Sequence, residues 1–158
     1  MEDPFDLQRF IDAQDPVIDQ VRVELRRGRK TSHWMWFVFP QASGLGYSPT
    51  AERFAIRSLD EARAYLDHPV LGPRLLECTR LVNAIPDSPI GWIFASPDDL
   101  KFHACMTLFD RLAGGGSPFK QALNRFFGGA RHAETLELGR REAAAPRGTA
   151  GQSPASPS

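Results

Sequence analysis

This chain has no long hydrophobic run. Its longest, from Trp34 to Phe39, is six residues, whereas a helix needs about 20 apolar residues to cross a bilayer, so no membrane span is expected. Neither sign of charge is in excess: Lys and Arg number 19, and Asp and Glu number 19. Without a global basic field the chain cannot gather nucleic acid by charge alone, and no nucleic-acid partner is expected. Cysteine is scarce, with only Cys78 and Cys105, each inside an apolar helical pattern. Two such thiols read as a reduced intracellular protein rather than one stapled by a disulfide. The opening Met1-Glu2-Asp3-Pro4 has no basic stretch followed by an apolar one. No signal peptide is therefore expected, and the cytoplasm is the expected location.

Several chemical signatures are missing as well. The histidines stand at 33, 68, 103 and 132, with no pair four residues apart, so neither a metal centre nor a cofactor is expected. There is no Gly-x-Ser-x-Gly elbow, no phosphate loop and no internal repeat. His103 and Cys105, two apart on a helix, point different ways and make no nucleophile–base dyad. Nothing marks the chain as an enzyme or sets its oligomeric state.

What is there is a helical pattern. The chain has 158 residues, 42% of them hydrophobic, enough for one domain with a real core. Leu7, Phe10 and Ile11 share one face of a first helix. Asp15-Pro16 reads as the cap and first residue of a second, with Val17, Ile18, Val21 and Leu25 inward and Gly28 as its stop. Ala51 to Ile56 reads as a helical turn. Ser58 and Glu61 form a capping box for a helix that His68-Pro69 ends. Leu71, Leu75, Cys78, Val82 and Ile85 draw one stripe down the next. Ser96-Pro97 and Ser117-Pro118 read as caps of two more, broken by Gly114-Gly115-Gly116 and closed by Gly128-Gly129. A weak helix is expected over 135–141. From Ala143 the composition turns to Ala, Pro, Gly, Ser and Thr, which predicts a disordered tail over 143–158 after a single helical domain over 1–142. The fold class is mainly α, a single compact multihelical domain with short irregular or extended apolar segments.

Those segments are Trp34–Phe39 and Ile90–Ala95. The first lacks alternation, so both its faces are expected to be buried. Pairing of the two as a small ribbon is the lesser alternative.

A set of landmarks carries a family resemblance: Asp6-Leu7-Gln8-Arg9-Phe10; Ser32-His33-Trp34-Met35-Trp36-Phe37 with Phe39-Pro40-Gln41 and Gly44-Leu45-Gly46; Glu61-Ala62-Arg63-Ala64-Tyr65-Leu66 with His68-Pro69-Val70-Leu71-Gly72; and Asp98-Asp99-Leu100-Lys101 with Met106-Thr107-Leu108-Phe109. The sequence resembles an uncharacterised bacterial family, the domain of unknown function DUF 1810, over roughly residues 6–127. The resemblance implies a compact, mainly helical domain. Some members carry a calpastatin-like label. A protease-inhibitor segment of that kind would be extended and poorly packed, whereas this chain is rich in helix caps and apolar stripes. It departs from the family at His103, where a small hydroxyl residue is usual.

Candidate site residues come from broken patterns. On a wheel of about 100° per residue, Asp99, His103, Thr107 and Asp110 share a polar arc of the Pro97 helix. Lys101 lies inside the apolar arc and in the first turn, where a cation opposes the helix dipole. Two local penalties at one residue suggest a role in binding an anion. His33 borders the aromatic run near Lys30 and is suited to acid–base work. Trp34 and Trp36 are suited to stacking on a base or nicotinamide, and the Gln41 amide to reading a base edge or ribose. Gly44 and Gly46 leave room for backbone to approach a phosphate. Lys30, His33, Trp34, Trp36, Gln41, Gly44, Gly46, Asp99, Lys101 and Thr107 are thus the expected ligand-binding residues, for a small anionic or nucleotide-like ligand. A hydrolase or transferase acting on ADP-ribose-like groups and a non-catalytic protein-interaction module are the alternatives.

Overall fold

The computed structural model describes residues 2–133 and 135. The expected domain limit at 142, all but the first residue of the helix expected over 135–141, and the tail over 143–158 lie outside these. Among the described residues the chain folds into α1 (Gln8–Gln14), α2 (Ile18–Arg26), α3 (Met35–Val38), α4 (Pro49–Arg53), α5 (Leu59–Asp67), α6 (Leu71–Asn83), α7 (Ile90–Ile93), α8 (Asp98–Ala113) and α9 (Pro118–Phe127). There is no sheet among them; a single parallel bridge joins Ala42 to Ile56.

The long helices form where apolar spacing and caps agree. The α6 stripe points inward as expected, with Leu71, Leu75, Cys78 and Val82 all buried. Ser58 Oγ accepts the Glu61 N–H at 3.0 Å, and the Glu61 carboxylate reaches back to the Arg57 N–H at 3.0 Å. Ser117 Oγ accepts the Lys120 N–H at 3.2 Å, which starts α9. Gly28 and Gly128 follow α2 and α9 with φ of 86° and 60°, left-handed turns that a glycine enters without strain.

Helix α8 is the axis of the core. Phe102, Ala104, Cys105, Met106, Leu108 and Phe109 are all buried. It packs against α9, α5, α3 and α7, while α6 packs against α9, α5 and α2. Around its first turns Phe39, Phe94 and Phe102 meet with centroids 5.0–5.8 Å apart, two of the three pairs edge-to-face. Each ring so buried contributes about 1.5–3 kcal/mol from its apolar surface alone.

Four local expectations need correction. The segment after Trp34 is a helical turn, not extended: Val38 N–H bonds Trp34 O and Phe39 N–H bonds Met35 O, both at 3.1 Å. Trp34, Met35, Val38 and Phe39 go inward while Trp36 and Phe37 are only half-buried, so one face is open. The inward set has helical spacing, hidden because the two outward residues are apolar too. Ile90–Ile93 is also a helical turn, so the two runs make no ribbon. Asp15 does not cap α2. It extends α1, with its N–H on Ile11 O at 2.9 Å, and α2 starts after Val17 without a side-chain cap. Finally, Pro97 stands at the N-cap of α8 after a cis Ser96–Pro97 bond, so the expected Ser96 cap is absent.

Candidate functional site

A pocket of about 310 Å³ opens between the 30–34 loop, α3, the start of α4 and the first turn of α8. Its floor is set from within. Glu24, on α2, is buried, and its carboxylate accepts five hydrogen bonds: from the Thr31 and Ser32 N–H groups at 2.7 and 3.1 Å, the Ser32 hydroxyl at 2.5 Å, the Trp34 indole N–H at 2.9 Å and the Gln20 amide at 3.0 Å. Burial pushes this carboxyl up, but the donors outweigh it and hold it down at about 2. One ionised group thus shapes the loop that presents Lys30, His33 and Trp34. The Lys30 N–H bonds Ile93 O at 2.9 Å and fastens the same loop to α7.

Charge concentrates at one wall. Asp98 lies between two lysines, 2.8 Å from Lys30 Nζ and 3.1 Å from Lys101 Nζ. Partial burial raises the Asp98 carboxyl, yet the hydrogen bonds from Lys30 and then Lys101 hold it below the usual carboxylate range. Lys101 Nζ also sits 4.2 Å from the centroid of Trp36, a cation–π contact. A Cβ on Gly46 would come within 2.8 Å of the Trp36 ring and 2.9 Å of the Ala51 Cβ. Only glycine allows the loop to back the ring so closely.

The structure therefore brings together Lys30, His33, Trp36 and Lys101, and adds Asp98, Ser48 and Thr50 to them. Trp34 reaches the same wall but is only 1% exposed. Its ring packs on Phe39 and Phe94 and its N–H is used by Glu24, so it supports the pocket and offers no stacking face.

The other expected residues lie elsewhere. The Gln41 amide is buried on Phe39 O at 3.3 Å, beside the Ala42–Ile56 bridge. Gly44 stands in open space at φ 90°. The Asp99 carboxylate takes the Leu100 N–H at 2.9 Å. Leu100, beside it, is exposed. Thr107 is fully buried; its hydroxyl donates to His103 O and accepts the His132 N–H, both at 2.9 Å. His103 stacks on Phe127 with centroids 4.0 Å apart and lies 2.7 Å from Ala130 O. Asp110 pairs with Arg131 at 2.9 Å. The polar arc of α8 is therefore real, and what it holds is the chain around 130–132.

Sequence reasoning missed Glu24, Asp98 and Arg9. Arg9 bonds Glu61 at 2.7 Å inside the molecule. Their types suggest solvent, and only their distant partners show otherwise. For Asp98 one signal existed, a carboxylate three residues before Lys101.

The described residues offer little else that is reactive. Burial pushes the Cys78 thiol up to about 12 and Cys105 well above its ordinary value, so neither is a nucleophile near neutral pH. Among the described residues no group of three or more His, Cys, Asp or Glu is placed to hold a metal ion, and no helix is long and apolar enough to cross a membrane.

A mainly helical domain with a cationic, aromatic-walled pocket at the start of its central helix is the class these features define. The chain belongs to the family described as "Protein of unknown function (DUF1810)", whose model matches residues 4–138. It is similar to the conserved hypothetical protein Rv1873 from Mycobacterium tuberculosis, known from a crystal structure. The two are 54% identical with a TM-score of 0.85, over 86% of this chain and 97% of that one. No curated protein matches the chain.

Proposed function

We propose that this protein binds a small anionic, nucleotide-like ligand in the pocket at the start of α8. The observation that carries the reading is the convergence of Lys30 and Lys101, from different parts of the chain, beside a half-buried indole and an exposed imidazole. Ammonium groups supply charge for a phosphate or carboxylate, and an indole supplies a surface for a planar ring. Hydrolysis or transfer on an ADP-ribose-like group is the most concrete reaction of this kind. His33, at the pocket rim, is then the residue suited to moving a proton at neutral pH. A cytoplasmic location belongs to the same proposal and is supported by two buried, unpaired cysteines.

The test is a thermal-shift screen with nucleotides, ADP-ribose and sugar phosphates, repeated on Lys101→Met. Stabilisation of the parent reports binding to the native state. The reading expects that stabilisation to vanish in Lys101→Met. An anionic ligand that binds both proteins equally places the site elsewhere.

A second reading, a non-catalytic interaction module, has one observation in its favour. Trp92 is 57% exposed, with the Arg29 guanidinium 4.5 Å from its centroid, and tryptophan and arginine are enriched at the centres of protein interfaces. Loss of a protein complex on Trp92→Ala, with ligand binding intact, supports it.

A further inference from the structure

The pocket is already occupied by the chain's own groups. Asp98 offers one carboxylate oxygen to each lysine, Oδ2 to Lys30 and Oδ1 to Lys101. A ligand carboxylate or phosphate, with two anionic oxygens, bridges a pair of ammonium groups in the same way. Lys101 in turn covers Trp36, on a face that a planar ring would use.

Asp98 is not locked in this role. Its side chain keeps 19% of its surface exposed, and its backbone N–H is held separately by Ala95 O at 2.8 Å. Because that backbone bond does not involve the carboxylate, a change of side-chain rotamer would release the lysines and leave the start of α8 in place. The lysines would then hold two unbalanced charges at a partly buried wall, which is costly unless another anion arrives.

We propose that Asp98 is the pocket's internal stand-in for a ligand anion, and that binding exchanges this carboxylate for a phosphate or carboxylate group of the ligand. This rests on the reading of the pocket as an anion site. It also implies that the resting protein binds more weakly than its lysines allow, because only the fraction with Asp98 turned away is competent.

Chemical rescue tests it. Asp98→Ala and the isosteric Asp98→Asn are melted in sodium phosphate, sodium acetate and sodium chloride at equal ionic strength, with circular dichroism confirming the fold. Both variants should melt below the parent and regain at least half of the loss in phosphate or acetate, but not in chloride. Isothermal titration should give them a dissociation constant at least tenfold below the parent's for the rescuing anion. Rescue by phosphate alone assigns a phosphorylated ligand, and rescue by acetate alone a carboxylate. Adding Lys101→Met to Asp98→Ala should abolish rescue.

No gain over chloride, or rescue that survives Lys101→Met, overturns the exchange. If rescue fails while ADP-ribose or a nucleotide still binds the parent in a Lys101-dependent way, the pocket stands and only the exchange falls. If no probe shows Lys101-dependent binding either, both fall.

Discussion

Two charged centres in this protein are built to opposite plans. Arg9 is only 9% exposed, and each of its N–H groups is used. Nε bonds Arg53 O at 2.7 Å, Nη1 bonds Phe5 O and Asp6 O at 2.6 and 2.8 Å, and Nη2 bonds Ala55 O and Glu61 at 3.0 and 2.7 Å. An arginine carries five such donors in a fixed fork, so this one has nothing left for a ligand. Lys30 and Lys101 instead share a single carboxylate between two ammonium groups, each with three protons to give. Hollow size does not separate the two centres: the one beside Arg9 is about 730 Å³ and the lysine pocket about 310 Å³. What separates them is saturation. A buried charge whose donors are all spoken for holds the fold, whereas one with donors to spare at an opening can hold something else.

The largest expected effect comes from breaking the saturated centre. Arg9→Met leaves Glu61 buried without its countercharge and removes the guanidinium bonds to four backbone carbonyls, a loss of about 3–5 kcal/mol measurable by urea denaturation. A loss below about 1 kcal/mol would mean that Arg9 is not the clamp described.

Glu24 extends the comparison to a saturated acid. Its carboxyl is held at about 2 against an ordinary 4.5, so it contributes stability above about pH 4.5 that is lost as the pH falls toward 2. Glu24→Gln should cost about 3 kcal/mol near neutrality, and the gap from the parent should narrow steadily in acid. A gap independent of pH would show that the carboxylate charge is not the source.

The open centre should behave differently. Lys101→Met keeps the stem over Trp36 and removes one arm of a partly exposed pair. Its stability should change by less than about 1 kcal/mol while anion binding disappears. Smallest of all, Trp92→Ala should move stability by no more than about 0.5 kcal/mol, because more than half of its surface is already exposed. A large loss there would mean that the Arg29–Trp92 contact supports the α7 turn.

The helical frame was legible because its signals are local. The α6 stripe, the Ser58 and Ser117 caps and the glycines after α2, α8 and α9 each involve residues within a few positions of one another. Half of the pocket was legible for a related reason: Lys101 breaks a local pattern, and Trp36 belongs to an unusual run. Gln41 and Thr107 looked like ligand residues by type alone, and the backbone of Phe39 and the chain at His132 claimed them first. Arg9 and Glu24 stayed hidden because a charged residue reads as solvent-facing until its partners are known. For Arg9 those include Arg53, Ala55 and Glu61, which are 44, 46 and 52 positions away.

That same separation bears on how fast the protein comes apart. Contacts so remote in sequence require a large loop to close before they reward the chain, so the Arg9 clamp should form late in folding. Its absence would then be felt mainly on the way out. In a chevron analysis, Arg9→Met should raise the unfolding rate by nearly the whole of its stability loss and leave the refolding limb in place. The N-terminal segment would thus act as a kinetic fastener, setting the lifetime of the native state more than the speed of reaching it.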